Sequence, residues 1–471
     1  MTPWLTEAHP ESLAISTDRG DSLTYSSLQD AVARQATALA DRGLRPGDAL
    51  GLQAPNSLDW ALMAHAALWL GATLVPLHTG ATEAELRHQR QTVPLRLLLT
   101  AEDLPTLTAE AATSSPAPPA ELTDDTILTV LFTSGSTGAS RAVPLTVANH
   151  RASARASRAR LGVHHDDLWL ACLPFCHIGG LAILLRSALY GTAAHITDGF
   201  DAPAILDTLA ARPITLASFV PTMVRRLLDA YGGSAPTEGD PIVSDLRAVL
   251  VGGGPIAPED LRRARSLGLP VLPTYGMTEA ASQLTTLSPD APDADLHTAG
   301  TPLPGVELRI VDGEIRARGP MITAGYLNAP TPRDEEGFFR TGDHGRLRDD
   351  GALIIAHRDS DLIVTGGENV TPGEVEAALR SIDAVAEVVV FALDDDEWGE
   401  SVAAAVVPRG NPDDPDAFFS VLQTRCRDLL AAYKVPRQWF LLTELPTTAT
   451  GKLHRRALRD RFSPSFCTVE P

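Results

Sequence analysis

Lysine is almost absent from this sequence of 471 residues. Of its 39 basic side chains, 37 are arginines, and the two lysines are Lys434 and Lys452. Arginine serves in most ion pairs, but its planar guanidinium does not imitate the compact ammonium group of lysine. The two retained lysines are therefore candidates for positions that require a point charge.

Positive charge of any kind is in the minority. The sequence has 59 acidic residues and a formal net charge of -20. A chain with this charge lacks the long-range field that attracts nucleic-acid backbones. We therefore expect no nucleic-acid partner, and any anion must be held locally by backbone amides, a metal ion or a few placed cations.

Cysteines and long apolar runs are also scarce. The chain has 4 cysteines, which are too few to stabilise a protein of this length through disulfide bonds. The apolar stretch Leu181–Leu189 is interrupted by Arg186, and residues 1–11 lack the basic and apolar regions of a signal peptide. These absences predict a cytoplasmic protein with no membrane span.

Short apolar runs alternate with amphipathic stretches. The predicted buried strands are Ile127–Phe132, Leu168–Leu173, Thr215–Val220, Ala248–Val251 and Pro270–Thr274. The predicted helices are Ser26–Arg42, Leu58–Leu70, Thr222–Tyr231 and Pro258–Leu267. This alternation favours an α/β fold in which helices cover parallel β-sheets. Residues Ala101–Leu122, which are rich in Ala, Pro, Thr and Ser, are predicted to form a solvated connection.

The length of the chain favours two or more domains, because single cores seldom grow this large. The turn dipeptides Asp312-Gly313 and Asp350-Gly351 predict hairpins, and hence a β-rich subdomain over residues 300–357. Beyond it the pattern indicates a compact α+β unit. We predict domains at residues 1–359 and 360–471, with a boundary near Ser360.

A loop rich in glycine and hydroxyl groups follows the strand Ile127–Phe132. It consists of Thr133, Ser134, Gly135, Ser136, Thr137 and Gly138, and the residues after Arg141 are predicted to be helical. The glycines permit tight curvature, and the amides and hydroxyls can surround a polyphosphate. The spacing is neither that of a Walker loop nor that of a dinucleotide fingerprint. By composition alone the alternative is a flexible loop.

Four further motifs follow in order. They are Thr274-Tyr275-Gly276-Met277-Thr278-Glu279, Arg340-Thr341-Gly342-Asp343, Gly366-Gly367-Glu368-Asn369 and Thr450-Gly451-Lys452. With these motifs the sequence resembles the acyl-adenylate-forming superfamily, which includes acyl-CoA synthetases, luciferases and adenylation domains of peptide synthetases. The resemblance spans residues 10–460. It implies a large N-terminal domain of helix-covered sheets and a small, mobile C-terminal lid domain.

The resemblance also implies a reaction. A carboxylic acid attacks the α-phosphorus of ATP, giving acyl-AMP and pyrophosphate, and the thiol of coenzyme A then displaces AMP. Transfer of this kind depends mainly on positioning and charge neutralisation. The implied partners are therefore a small carboxylic acid, ATP, Mg²⁺ and coenzyme A. A homo-oligomer is left open, with a dimer as the commonest default.

By resemblance, the loop Thr133–Gly138 holds the β- and γ-phosphates. The family usually has Pro-Lys-Gly shortly after this loop, whereas this chain has Ser140-Arg141-Ala142, which keeps the charge but changes its shape. Arg141 is therefore assigned proximity to phosphate only. Glu279, with Thr278 beside it, is the implied Mg²⁺ ligand. The alternative for Glu279 is an acid that stabilises a helix N-terminus.

The resemblance assigns further nucleotide contacts. Asp343 would accept hydrogen bonds from the ribose hydroxyls, assisted by Arg358, although an isolated aspartate of this kind is often a turn residue. The backbone at Gly252, Gly253 and Gly254, together with Tyr275 and Gly276, would approach the adenine and the acyl group. The alternative for the three glycines is a tight turn between a strand and a helix.

The C-terminal motifs imply two states of the lid. Lys452 would contact the carboxylate and the bridging oxygen during adenylation, where a mobile point charge suits the developing charge. Arg358-Asp359-Ser360-Asp361 matches the family's hinge. Gly366 and Gly367 would border the pantetheine tunnel, and Trp398 would stack on the adenine of coenzyme A. Trp398 could equally be a core aromatic of the lid.

The acid pocket is expected at Leu173–Leu181, where His177 would close it and take part in catalysis. A metal site formed by Cys172, Cys176 and His177 is disfavoured, because the ligands are few and crowded.

Arg186 interrupts an apolar helix and needs a partner. The segment with His177 and Arg186, together with Ser282-Gln283, resembles the o-succinylbenzoate-CoA ligases of menaquinone biosynthesis. This resemblance implies that Arg186 binds the second carboxylate and that Gly276 and Ser282 line the pocket. The alternative is that Arg186 extends to the surface.

Three other functions compete with this interpretation. An aryl- or medium-chain acyl-CoA synthetase keeps the chemistry and changes the acid. An adenylation domain of a peptide synthetase is disfavoured because no carrier-protein region follows residue 471. A catalytically silent nucleotide-binding relative is disfavoured because Thr278, Glu279, Asp343, Arg358 and Lys452 are all present.

Overall fold

The computed structural model describes the chain with short gaps. The described residues are 8–81, 83–133, 140–231, 245–254, 256–358, 362–365, 368–395, 398–412, 414–430, 432–447 and 455–463. The chain divides into two compact units. The first comprises Met1–Arg309, Arg316–Arg340 and Leu347–Leu353, and the second comprises Ile310–Ile315, Thr341–Arg346 and Ile354–Pro471. The predicted boundary at Ser360 lies outside the described residues and stays a prediction.

The helices and strands of the first 302 residues alternate as expected for an α/β fold. In chain order they are β1 (Leu13–Thr17), β2 (Ser22–Thr24), α1 (Tyr25–Asp41), β3 (Ala49–Gln53), α2 (Leu58–Trp69), β4 (Thr73–Pro76), α3 (Glu83–Thr92), β5 (Leu95–Thr100), α4 (Asp103–Ala111), β6 (Ile127–Thr133), β7 (Arg141–Thr146), α5 (Val147–Leu161), β8 (Leu168–Ala171), α6 (Ile178–Tyr190), β9 (Ala193–Ile196), α7 (Ala202–Ala211), β10 (Leu216–Phe219), α8 (Pro221–Ala230), β11 (Ala248–Val251), α9 (Pro258–Ser266), β12 (Val271–Met277), β13 (Ser282–Thr286) and β14 (Thr301–Pro302).

The remaining elements are richer in strands. They are β15 (Glu307–Val311), β16 (Glu314–Arg318), β17 (Phe339–Leu347), β18 (Leu353–Arg358), β19 (Ile363–Thr365), β20 (Glu368–Val370), α10 (Pro372–Arg380), β21 (Val385–Asp395), β22 (Gly399–Pro408), α11 (Pro415–Leu429), β23 (Gln438–Leu441) and α12 (Arg455–Phe462). None of the described helices is both long and apolar enough to cross a membrane. The predicted α/β class is confirmed.

Two largely parallel sheets form the frame of the first unit. The larger has the order β14-β13-β12-β11-β10-β8-β9-β1-β2, in which the strands from β12 to β1 run parallel. The smaller has the order β5-β3-β4-β6-β7, with β7 antiparallel to β6. Because helices cover the larger sheet, its central strands are buried and mostly apolar, as in the fully buried Ala248–Val251.

One hydrophobic core joins the two sheets. The same cluster of buried side chains contains Leu39 of α1, Trp60 of α2, Leu181 of α6, Leu50 of β3 and Trp169 of β8. Side chains of this size each bury enough apolar surface to contribute about 2 kcal/mol or more. The shared core therefore fixes the position of one sheet against the other.

The predicted start of the helix directly after Arg141 is wrong. Residues Arg141–Thr146 form β7, which pairs antiparallel with β6, and α5 begins only after Thr146. Ala142, Val143 and Leu145 are buried in this hairpin. Thr146 then starts the helix through a capping box with Asn149.

The predicted solvated connection over Ala101–Leu122 is also wrong in part, because it contains α4 (Asp103–Ala111). This helix buries Leu104, Leu107 and Ala111. Their spacing of three and then four residues is that of one helix face, which the richness in Pro and Thr obscured.

The second unit contains a sheet of order β20-β19-β22-β21, to which β23 adds parallel to β22. Glu376 of α10, in this second unit, has no exposed surface. Its carboxylate accepts hydrogen bonds from Arg455 at 2.5 Å, from Arg380 at 3.0 Å and from the backbone N–H of Val390 at 3.0 Å. A buried carboxylate needs such partners, so this group ties two helices to the sheet.

Asp167, just before β8, is a second buried carboxylate with a full set of partners. Arg247 donates from Nε at 2.8 Å and from Nη2 at 2.5 Å, and Thr215 Oγ1 and the His164 backbone N–H each donate at 2.8 Å. Burial acts to raise the pKa of Asp167, but the hydrogen bonds from Arg247, His164 and Thr215 outweigh it and lower that pKa.

We predict that Asp167→Asn destabilises the protein by about 2 kcal/mol at pH 7, because the charged partner of Arg247 is lost. A lowered folded-state pKa means that the wild-type contribution is complete above the unfolded-state value of about 4 and is lost as the pH falls through the folded-state value. Urea unfolding at pH 7 and at pH values below 4 should therefore show the difference shrinking with acid.

The matched control for this experiment is Asp198→Asn. Asp198 pairs with Arg19 in an exposed salt bridge of 3.0 Å, which should contribute less than about 1 kcal/mol. A pH-independent difference for Asp167→Asn, or an equal effect of the control, would contradict the prediction.

Candidate functional site

The first unit gathers loops at one edge of each sheet. Strands that run parallel present their carboxyl ends at the same edge, which is where α/β proteins bind ligands. In the larger sheet, Cys172–His177 follow β8, Gly252–Gly254 follow β11, and Thr278–Ala280 follow β12. These three predicted site segments therefore share one edge.

The corresponding edge of the smaller sheet carries Gln53 at the end of β3, His78 after β4 and Thr133 at the end of β6. Asn56, which follows β3, joins this edge to the first one. Its amide donates to the carbonyl of Leu173 at 2.8 Å and accepts from the N–H of Phe175 at 2.9 Å. The loop with His177 is therefore fixed to both sheets.

Gly252 marks a close approach of β11 and β12. A Cβ atom at Gly252 would lie 2.8 Å from Cγ2 and 2.9 Å from the carbonyl oxygen of Thr274, and Gly253 has a φ of +83°. The tight turn that was one interpretation of Gly252-Gly253-Gly254 is thus present. It leaves the backbone of Gly253 and Gly254 exposed at the site edge.

The strand predicted to end at Thr274 continues through Met277 as β12, and Gly276 lies opposite Gln283 in the sheet. A Cβ atom at Gly276 would lie 1.8 Å from the carbonyl oxygen of Ser282. Ser282 has a φ of +112° and Ala281 has a φ of +48°. Such conformations cost roughly 1–3 kcal/mol each in non-glycine residues and concentrate at functional sites.

Glu279 is oriented by a residue that the sequence analysis missed. The hydroxyl of Tyr326 donates to Glu279 Oε1 at 2.7 Å, and the Thr323 N–H donates to the Glu279 carbonyl at 2.7 Å. Burial, with the Glu279 charge as a second cause, raises the pKa of Tyr326. The guanidinium of Arg141 lies 5.3 Å from the centre of the Tyr326 ring.

This arrangement leaves Glu279 able to bind a cation. Its Oε2 has no hydrogen-bond partner within the described part of the chain, and its oxygen chemistry suits Mg²⁺. The hydroxyl of Thr278 is the neighbouring oxygen donor in the same short 3₁₀ turn. A single tyrosine hydroxyl gives no local sequence signal of this role, so Tyr326 could be found only from the folded structure.

Arg186 of α6 is buried, with 4% of its surface exposed. Its Nη1 donates to Gln283 Oε1 at 2.6 Å and its Nη2 donates to Ser153 Oγ at 2.9 Å. Among the described residues, no carboxylate pairs with it. The alternative in which Arg186 extends to the surface is therefore wrong.

The network around Arg186 reaches the strained backbone. Ser153 Oγ donates to the Ala281 carbonyl at 2.6 Å, so one hydroxyl bridges Arg186 and the residue before Ser282. Burial, with the Arg186 charge as a second cause, lowers the pKa of His150 to about 3. The imidazole of His150 is thus neutral, and the hydrogen-bond partners of the guanidinium within the described ranges are uncharged.

His177 precedes α6, and its ring centre lies 6.0 Å from that of His78. Cys172, which was considered with it, is buried and its Sγ lies 3.8 Å from the Ser218 carbonyl oxygen. Cys172 therefore does not group with Cys176 and His177, in line with the interpretation that disfavoured that site. The structure instead places His78, Cys176 and His177 together.

The second unit holds other predicted residues. Asp343 lies within β17 rather than in a turn, and its N–H donates to Thr341 Oγ1 at 3.1 Å. Arg358 ends β18. Trp398 is 37% exposed and its ring lies 4.0 Å from the guanidinium carbon of Arg437, so it is not a core aromatic.

Several predicted residues cannot be placed. Outside the described residues lie Ser134, Gly135, Ser136, Thr137, Gly138, Ser360, Gly366, Gly367 and Lys452. Their assigned roles therefore stay predictions.

Two family models match this chain. Residues 4–327 match the model of the AMP-binding enzyme family, and residues 374–452 match that of the AMP-binding enzyme C-terminal domain. The chain belongs to this family of adenylate-forming enzymes, and the resemblance seen in the motifs is confirmed. As an acyl-CoA ligase of the AMP-forming type, it shares its activity class with the relatives that cover its full length.

Several of these relatives are named for the same acid. The chain is 35% identical to the 2-succinylbenzoate–CoA ligase of Bacillus cereus, with 98% of both sequences covered. It matches o-succinylbenzoate CoA synthetase (MenE) from Bacillus subtilis in complex with the acyl-adenylate intermediate OSB-AMP, with a TM-score of 0.87, 32% identity and 98% of both chains covered. The same enzyme in complex with ATP and a magnesium ion gives a TM-score of 0.84 at 31% identity, over 98% of this chain and 100% of that one.

We predict that Tyr326→Phe weakens the binding of Mg²⁺ that adenylation requires, without unfolding the protein. The variant keeps the ring beside Arg141 but loses the hydroxyl that orients Glu279, which should raise the half-saturating Mg²⁺ concentration by about fivefold to tenfold. ATP–pyrophosphate exchange measured across a Mg²⁺ series tests this. Tyr190→Phe, which loses a 2.6 Å hydrogen bond to the Ala154 carbonyl, is the control. An unchanged Mg²⁺ response in Tyr326→Phe would contradict the role.

Proposed function

We propose that this protein activates o-succinylbenzoate with ATP and transfers the acyl group to coenzyme A, as a step of menaquinone biosynthesis. The reaction class follows from the family, and the identity of the acid is the proposal. The observation that carries it is the buried guanidinium of Arg186, which has only neutral partners among the described residues. The names of the full-length relatives support the same acid.

The charge of Arg186 argues for a substrate with two carboxylates. A buried cation without a counter-charge costs several kcal/mol, and burial lowers the pKa of Arg186 accordingly. In o-succinylbenzoate one carboxylate is activated and the other remains to pair with a cation. His177, Gly276 and Ser282 are proposed to line the same pocket, and Ser153 would hold Arg186 in place.

The residues of the site have separate tasks in the first half-reaction. Glu279, with Thr278, is proposed to hold Mg²⁺, which when bound neutralises phosphate charge. The loop Thr133–Gly138 would bind the β- and γ-phosphates. Lys452 would donate to the carboxylate and bridging oxygens as negative charge develops there.

Other residues are proposed to bind the nucleotide and the thiol. Asp343 and Arg358 would hold the ribose, while the backbone at Gly252–Gly254 and Tyr275-Gly276 would contact the adenine. Gly366, Gly367 and Trp398 would serve coenzyme A in the second half-reaction. The 37% exposure of Trp398 is compatible with stacking, because aromatic surfaces bind bases in this way.

We predict that the protein converts o-succinylbenzoate selectively and that Arg186→Gln raises the KM for this acid by about thirtyfold, from a loss of about 2 kcal/mol. Monocarboxylic acids should be converted equally by both proteins. Mass-spectrometric detection of acyl-CoA, after incubation with ATP, Mg²⁺, coenzyme A and an acid panel, measures both effects.

Arg160→Gln is the control for this experiment, because Arg160 is a partly buried arginine that donates to Thr301 Oγ1 at 2.8 Å. Equal losses of Arg186→Gln on all acids would assign Arg186 a structural role instead. Preferred conversion of benzoates or fatty acids by the wild type would point to an aryl- or medium-chain acyl-CoA synthetase.

We predict that Lys452→Ala abolishes formation of acyl-AMP but spares thioester formation from preformed acyl-AMP. The control is Lys434→Ala, since Lys434 Nζ donates to both carboxylate oxygens of Glu374 at 2.6 and 2.7 Å in an ion pair of the second unit. Rapid-quench assays of each half-reaction separate the two steps. An equal loss of both half-reactions in Lys452→Ala would contradict the assignment.

A further inference from the structure

Three side chains with metal-binding chemistry meet at the edge shared by the two sheets of the first unit. The ligand atoms of His78, Cys176 and His177 all lie within 4.8 Å of one another, and each residue is partly exposed. Cys176 and His177 are consecutive, whereas His78 comes from a loop almost one hundred residues earlier. The grouping is therefore a product of the fold.

The backbone on both sides of this cluster is held by one short segment. Gln53 Nε2 donates to the His78 carbonyl at 3.1 Å, and Asn56 hydrogen-bonds the carbonyl of Leu173 and the N–H of Phe175. The N–H of His177 donates to the Pro174 carbonyl at 3.1 Å. Since both loops are fixed to the end of β3 and the residues just after it, the three side chains are held close together before any ion binds.

The ligand set selects the class of ion. One thiolate and two imidazoles suit Zn²⁺ and similar transition metals, whereas Mg²⁺ takes oxygen ligands as at Glu279. Bonds of about 2.0–2.3 Å to zinc place tetrahedral ligands about 3.5 Å apart, so the side chains must close by about 1 Å. Three protein ligands leave a fourth position for water, as in open zinc sites.

We propose that His78, Cys176 and His177 form a binding site for Zn²⁺ or a similar transition-metal ion, and that the bound ion excludes the acid by occupying the imidazole of His177. The exclusion of the acid rests on the proposed function of His177, whereas the metal site does not. No described carboxylate belongs to the cluster, so it offers no carboxylate oxygen ligand to a hard cation.

Binding has two identifiable costs. The Gly80 N–H donates to His78 Nδ1 at 3.0 Å, and a metal on either ring nitrogen would end that hydrogen bond. Burial raises the pKa of the Cys176 thiol to about 12, so the ion must displace a proton.

Co²⁺ titration of the chelator-treated full-length protein, without nucleotide, tests the site directly. The wild type should develop a thiolate-to-cobalt charge-transfer band that Zn²⁺ abolishes by displacement. Cys176→Ser should lose the band and bind Zn²⁺ at least tenfold more weakly, and His78→Gln should also weaken binding. Cys172→Ser is the matched control and should keep the band. A band retained in Cys176→Ser, or no band in the wild type, would overturn the site.

A second measurement tests the consequence for the acid. Zn²⁺ should inhibit ATP–pyrophosphate exchange competitively with the acid in the wild type, reversibly by chelation, while Cys176→Ser should resist this inhibition. Equal inhibition of both proteins would mean that Zn²⁺ acts elsewhere, for example at Glu279, and would overturn the proposed exclusion. If Co²⁺ binds as expected but no acid is adenylated, the proposed function fails and the metal site stands.

Discussion

The hydrophobic core shared by the two parallel sheets is the constraint on which the site depends. Trp60 of α2 and Trp169 of β8 belong to the same buried cluster, so the carboxyl edges of both sheets are held side by side. Asn56 then makes this alignment specific by fixing the loop before α6 through two hydrogen bonds. The positions of His177, His78 and Thr133 all follow from this one arrangement.

The segment between Glu279 and Gln283 shows how the fold supports an unfavourable backbone. Ala281 and Ser282 adopt positive φ values, and the close approach of the Ser282 carbonyl admits only glycine at position 276. Ser153 holds the Ala281 carbonyl and Arg186 holds Gln283, so the segment is fixed from two sides. The guanidinium that is proposed to bind substrate is thus also a hydrogen-bond partner of Gln283, at the end of this segment.

Periodicity and motif order predicted most of the frame, because they depend on neighbouring residues. The strands at Ala248–Val251 and Ile127–Phe132 and the helix at Pro258–Leu267 lie within one or two residues of their predicted bounds. Features that depend on distant residues could not be predicted. The hydrogen bond from Tyr326 to Glu279 joins residues 47 positions apart, and His78 reaches Cys176 across a separation of about one hundred residues with no local signal.

The scarcity of lysine does not by itself show that the two retained lysines are needed for their ammonium groups. Lys434 pairs with Glu374 through both carboxylate oxygens, yet Arg309 makes the same kind of paired contact with Glu336. Retention of a lysine therefore does not by itself indicate a chemical need for ammonium. The case for Lys452 rests on its place in the Thr450-Gly451-Lys452 motif and on the need for a mobile point charge at the reacting oxygens, because a guanidinium spreads its charge over three nitrogens and a rigid plane.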